Sequence, residues 1–166
     1  MFSRSSQLAL VVKPVIEQIA ESLMKAGFKG LIADDGTHVE SATSGYNFSV
    51  WQHAEYNWIQ FTMGINNTIN YQADDANKFN QDFHSGKIYV SSDHSGVMLK
   101  CDLLYLPDQD ITEILGKYIA LWNVLVGNFV RSLSEVNSRY EAEQEALKTA
   151  PPQPRGALTY EPEVSL

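Results

Sequence analysis

The sequence predicts an α+β fold, an antiparallel sheet packed against helices and closed by a long C-terminal helix. Three observations carry that reading. Short alternating segments separated by Gly- and Asp-rich turns fill the middle of the chain, as half-buried strands do. A helical pattern precedes them, from Pro14 to Ala26. A much longer one follows, from Ile111 to Tyr140.

In the first element Val15, Ile16, Ile19, Leu23 and Ala26 recur at helical spacing, with Glu17, Gln18, Glu21 and Lys25 on the other face. Pro14 suits a helix start, and Gly27 supplies the left-handed residue that stops it. Leu31 to Ala33 and His38 to Glu40 flank Asp34-Asp35-Gly36, a hairpin signal. Ser44-Gly45 marks the next turn. Tyr46 to Trp51 and Trp58 to Met63 then alternate as two further strands, which completes an antiparallel meander. Ala73 to Asn80 reads as a short helix with Asp74 and Asp75 in its first turn, where the helix dipole favours acids. Lys87 to Ser92 and Val97 to Tyr105 are two more strands, joined by Asp93-His94-Ser95-Gly96, with Gly96 the expected site of positive φ. The last of these places Val97, Leu99, Cys101 and Leu103 on one face and Met98, Lys100, Asp102 and Leu104 on the other.

Asp110-Ile111-Thr112-Glu113 resembles a capping box that opens the last helix. About eight turns, roughly 45 Å, follow at 1.5 Å per residue. After Lys148 four of the six prolines gather. The chain therefore divides into an N-terminal arm (1–13), one domain (14–145) and a Pro-rich tail (146–166) with the composition of a disordered segment.

Composition narrows the function. The chain has 166 residues, enough for one self-sufficient core, and a formal net charge of −8. Twelve Lys and Arg against twenty Asp and Glu, without a basic cluster, argue against nucleic acid as a partner. Leu8 to Val12 is too short for a secretory segment, and no stretch reaches the ~18 apolar residues of a membrane span, so the expected location is the cytoplasm. The single cysteine, Cys101, forms no disulfide framework, and its alternation with Val97, Leu99 and Leu103 predicts a buried, inert thiol. His38, His53, His84 and His94 lack ligand spacing, and Asp34-Asp35 and Asp74-Asp75 lack the alternating ligands of a calcium loop. No catalytic residue, cofactor or metal is therefore assigned.

The order of elements, with Asn77-Lys78-Phe79-Asn80, Ile88-Tyr89-Val90, Asp93, Val97-Met98-Leu99, Asp102-Leu103, Ile111-Thr112, Trp122 and Phe129, resembles the YbjN-type family. Members of that family are regarded as candidate bacterial sensory transduction regulators, and their domain is similar to the type III secretion chaperones. The resemblance spans about Pro14 to Leu133. It implies a chaperone-like fold and a non-enzymatic, often dimeric protein-binding module, and it brings no catalytic residues. The first dozen residues, the prolonged last helix and the Pro-rich tail depart from the family pattern.

Between Tyr118 and Val130 apolar residues run almost all the way round the last helix, and a helix apolar on every side must be covered on every side. Aromatic anchors dominate interfaces. The candidate partner-binding or dimer surface is therefore Tyr118, Trp122, Leu125 and Phe129, with Trp51 and Trp58 next. The expected function is an adaptor or chaperone-like regulator that binds a segment of a partner protein and forms a homodimer. Two alternatives are a small-molecule sensor with an apolar pocket between sheet and helices, and a cysteine-dependent enzyme.

Overall fold

The computed structural model describes residues 13–107 and 109–149. The expected N-terminal arm, apart from Lys13, and the tail beyond Thr149 lie outside the described residues. The elements run α1 (Val15–Lys25), β1 (Leu31–Ile32), β2 (His38–Thr43), β3 (Tyr46–His53), a 3-10 turn at Ala54–Tyr56, β4 (Trp58–Asn66), α2 (Ala73–Asp82), β5 (Gly86–Val90), β6 (Gly96–Leu104) and α3 (Thr112–Thr149). Six strands make one sheet in the order β1-β2-β3-β4-β6-β5, and every neighbouring pair is antiparallel.

Turn chemistry explains the first half. After α1, Gly27 takes φ +85°, Phe28 N–H donates to Leu23 O and Gly27 N–H donates to Met24 O, the pair of bonds that closes a helix on a left-handed residue. Ser44 and Gly45 both have positive φ, the twist that suits a two-residue hairpin loop between β2 and β3. Between β5 and β6 the positive φ falls on His94, at 57°, and not on Gly96. The reason is Asp93. Its carboxylate accepts Ser91 Oγ–H, Ser95 N–H and Ser95 Oγ–H, which curls the chain one residue early and holds the acid down at about 2.

The path from β4 to β5 is of another kind. Both strands pair antiparallel with β6, so they run in the same direction and no tight turn can join them. α2 is the crossover that returns the chain. Gln72 N–H donates to Asp75 at its first turn, which caps the helix start expected at Ala73. At its far end Asn80 spends its whole amide on β5, with Ile88 N–H donating to Oδ1 at 2.7 Å and Nδ2 donating to Ile88 O at 2.9 Å. The side chain thereby occupies the pairing groups of an edge strand, as a neighbouring strand would.

The core lies between the sheet and the helices. Val39, Phe48, Val50, Ile59, Phe61, Met63, Leu99 and Leu103 point into it from the strands. Leu23 of α1, Phe79 of α2 and a long stripe of α3 meet them. Close approach dictates Gly86, where an added Cβ would stand 2.7 Å from Leu125 Cδ1.

Three expectations change here. Gln18, placed on the polar side of α1, is only 4% exposed. Its amide links two elements, accepting Ile111 N–H at 2.9 Å and donating to Lys13 O at 2.7 Å. A buried amide is retained when its donors and acceptors are matched in this way. The capping box expected at Asp110 is half formed. Asp110 accepts Thr112 N–H, whereas Glu113 pairs forward with Lys117 at 2.7 Å instead of reaching back. α3 itself has 38 residues, about 57 Å, and runs to Thr149, past the expected start of the tail at 146. Arg139 fastens it to α2 through two bonds to Asp75, 3.0 and 2.9 Å long. Burial alone would raise the Asp75 carboxyl, but the Arg139 guanidinium and Gln72 N–H outweigh it and hold it below its usual range.

Candidate functional site

Strand alternation gives the sheet two faces, and the three helices pack on only one of them. Pairing register assembles the other. One row crosses the sheet as Leu31, Glu40, Ser49, Thr62, Lys100 and Lys87. Beside it lie His38, Trp51, Gln60 and Asp102, and beyond those His53, Trp58 and Leu104. On the opposite side Gly64, Met98 and Tyr89 stand in line.

Aromatic pairs hold this open face together. The His38 ring stacks on Trp51 with centroids 4.1 Å apart, and His53 leans on Trp58 at 4.5 Å. Trp58 Nε1–H and Gln60 Nε2–H both donate to Asp102 Oδ1, at 3.1 and 2.9 Å, which fixes a carboxylate on the surface. Lys100 Nζ stands 5.8 Å over the Tyr89 ring. Around these polar groups Leu104 is 75% exposed and Tyr89 48%. Near the same end Tyr56 and Leu106 are also exposed. Apolar and aromatic side chains set among a few fixed polar groups are the composition of a protein contact surface.

The six residues singled out from the sequence separate. Trp51 and Trp58 lie half-buried on the open face, two rows of one patch. Tyr118 is half-buried on α3 and borders a cleft of about 260 Å³ shared with Lys87, Tyr89 and Lys100. Trp122, Leu125 and Phe129 are no surface at all, being 1%, 1% and 0% exposed. Trp122 packs on Phe48 and Phe61, with ring centroids 5.6 Å away in both cases. The sheet covers these three because they share the inward side of α3 with Ile119 and Val126. Turned outward instead are Gly116, Ala120, Val124 and Gly127.

The residues that sequence reasoning missed are His38, Glu40, Gln60, Lys100, Asp102, Tyr89 and Leu104. Alternation had already put Lys100, Asp102 and Leu104 on one face of their strand. The missing signal was register, which only pairing supplies.

Other candidates are structural. The space between sheet and helices, where a sensor would hold its ligand, is filled by Trp122, Phe61 and Phe129. Between α2 and α3 there is an open cleft of about 360 Å³ whose rim mixes Lys78, Arg131 and Arg139 with Asp75, Asp82 and Glu135. Among the described residues no three His, Cys, Asp or Glu side chains converge as metal ligands do, and no helix is long and apolar enough to cross a membrane.

Cys101 is 1% exposed. Desolvation, reinforced by the Asp102 charge, pushes its thiol up to about 11. The native thiol is therefore expected to react with a disulfide reagent at neutral pH about 10²-fold more slowly than the denatured chain. The sign of the linkage is equally definite. A raised thiol favours the fold fully below its ordinary range near 9, and that contribution is lost as pH climbs through 11. Fast labelling of native protein would contradict both the burial and the shift.

No protein-family model matches the chain, and no curated protein matches it. Among solved structures the chain is similar to YbjN from E. coli, described as a candidate transcription regulator. Identity there is 14%, over 81% of this chain and 94% of that one, with a TM-score of 0.45. It is also similar to a chain of the ExsC–ExsE complex, at 14% identity over 82% of this chain and 96% of that one, with a TM-score of 0.44.

Proposed function

We propose that this chain is a non-enzymatic protein-interaction module, an adaptor or chaperone-like regulator that binds a partner protein through the open face of its sheet. One observation carries the reading: no helix among the described residues covers that face, which displays Trp51, Trp58, Tyr89, Met98 and Leu104 around the fixed carboxylate of Asp102. Trp and Tyr are over-represented among the residues that dominate binding energy. At ~25 cal/mol/Å² each 100 Å² of apolar area covered contributes ~2.5 kcal/mol, against the ~4–15 kcal/mol that association costs, so complementarity decides the affinity. A regulator that must let go of its partner needs that balance.

The test is photo-crosslinking in cells that produce the full chain. A photoreactive residue at Gln60, in the middle of the face, is expected to give a covalent protein adduct. The same residue at Ser138, exposed on α3, is expected to give none. Absence of an adduct from Gln60, or equal yields from both positions, would overturn the reading.

A further inference from the structure

We infer that the cleft between α2 and α3 is a peptide-docking site whose occupant is residues 155–161 of this same chain, folded back along α3. The site is separate from the open face of the sheet.

α2 runs antiparallel to α3. Asp75 in its first turn is held by Arg139 at 3.0 and 2.9 Å, and Gly86, beyond its last turn, stands against Leu125. Below the Asp75–Arg139 pair the helices part and leave the open cleft of about 360 Å³. Phe79, Phe83 and Val136 form its floor, and the two phenylalanine rings lie 4.5 Å apart. Lys78 and Arg131 stand exposed on opposite walls, with no ion pair among the described residues. At the outer end Glu143 lies 3.9 Å from Arg139 Nε. A peptide entering from the far end of α3 therefore meets an acid, then an apolar floor, then two cations.

The chain carries the complement in the same order: Arg155, Leu158, Tyr160 and Glu161. Length sets the register. α3 runs on from Arg131 to Thr149, about 27 Å at 1.5 Å per residue. Pro-rich chain extends by about 3.1 Å per residue, so residues 150–161 span about 37 Å. The excess of about 10 Å, some three residues, makes the reversal of direction. With Glu161 at Arg131, Leu158 then falls level with Val136 and Arg155 level with Glu143. The peptide covers about 9 and 19 Å to reach those positions, against about 7.5 and 18 Å of helix. One register satisfies all three contacts. Asp82, a turn beyond Lys78, repels a carboxylate that slides further in.

Tethering makes weak contacts sufficient. A segment on a short linker meets its site at about millimolar concentration, so an affinity of ~0.1 mM as a free peptide leaves about 90% docked.

The test reads the backbone order parameters of the Leu158, Thr159 and Tyr160 amides by nitrogen relaxation. It uses the full chain at ~50 mM salt, where screening is weak. Wild type is expected near the ~0.85 of folded backbone, whereas an undocked segment falls below ~0.6. Arg131→Glu puts a repulsion where the attraction was and is expected to take all three amides below ~0.6. Arg131 is on the surface, and circular dichroism checks that the variant folds. Glu161→Arg is expected to release the segment equally, and the double variant R131E/E161R to restore it. Leu158→Asp lies in the segment itself, outside the domain, and is expected to release it with the fold intact.

Wild-type values below ~0.6, order that survives R131E or L158D, or loss without recovery in the double variant would overturn the inference. So would order that rises with protein concentration between about 20 and 500 µM, because docking within one chain is indifferent to concentration.

Discussion

Replacing Trp122 with alanine is expected to cost about 4 kcal/mol, the largest single-residue effect in this fold. The ring is 1% exposed and sits between Phe48 of β3 and Phe61 of β4, so its removal empties the place where α3 crosses the middle of the sheet. Two terms add: lost transfer free energy, and a cavity that rigid strands cannot close. Domains of this size are stable by roughly 5–15 kcal/mol, so the variant would lie near the edge of folding. Denaturant titration followed by circular dichroism should show a lower midpoint at unchanged slope. Trp122→Phe is a sharper control. The indole N–H is buried without a hydrogen-bond partner, so phenylalanine leaves no polar group stranded and should cost only about 1–2 kcal/mol. A cost below about 1 kcal/mol for the alanine variant would show that Trp122 faces outward after all.

The second large effect is expected at Asn80, where alanine should cost about 2–3 kcal/mol and also change how the protein behaves at high concentration. The amide supplies both an acceptor for Ile88 N–H and a donor for Ile88 O, and alanine abandons both backbone groups on a strand that has no neighbour beyond it. Hydrogen exchange at the Ile88 amide should accelerate first. With the edge uncovered, β5 becomes a template for another strand, and soluble aggregates should grow with protein concentration. An Ile88 amide that exchanges at the wild-type rate would mean that α2 shields the edge without its side chain.

How much of this was legible in the sequence differs by kind of feature. The hairpin at Asp34-Asp35-Gly36, the stop at Gly27 and the inward run Val97, Leu99, Cys101, Leu103 were readable because each is a local decision, made by backbone sterics or by the pleat within a few residues. His94 was misread in favour of Gly96 because the side chain of Asp93, and not the freedom of glycine, sets that turn. Gln18 was misread because its partner, Ile111, lies 93 residues away. The open face of the sheet was half legible. Trp51 and Trp58 were picked as aromatics, but so were Trp122, Leu125 and Phe129, and composition cannot tell an anchor for a partner from an anchor for the sheet. That distinction follows from which side of α3 meets β3 and β4, which is a long-range fact.

The order of the strands also has a consequence in time. β1 to β4 are neighbours in sequence and pair by short turns, so they can form quickly from local contacts. The longest ladder, β4 with β6, joins residues 30 to 46 positions apart, from Asn66 opposite Gly96 to Trp58 opposite Leu104. Its loop-closure entropy is lost before any of its hydrogen bonds is gained. Until β6 arrives, β4 is an unpaired edge that carries Ile59, Phe61 and Met63 in the open. The rate at which this protein escapes misassembly is therefore set by how fast α2 swings β5 and β6 back onto β4.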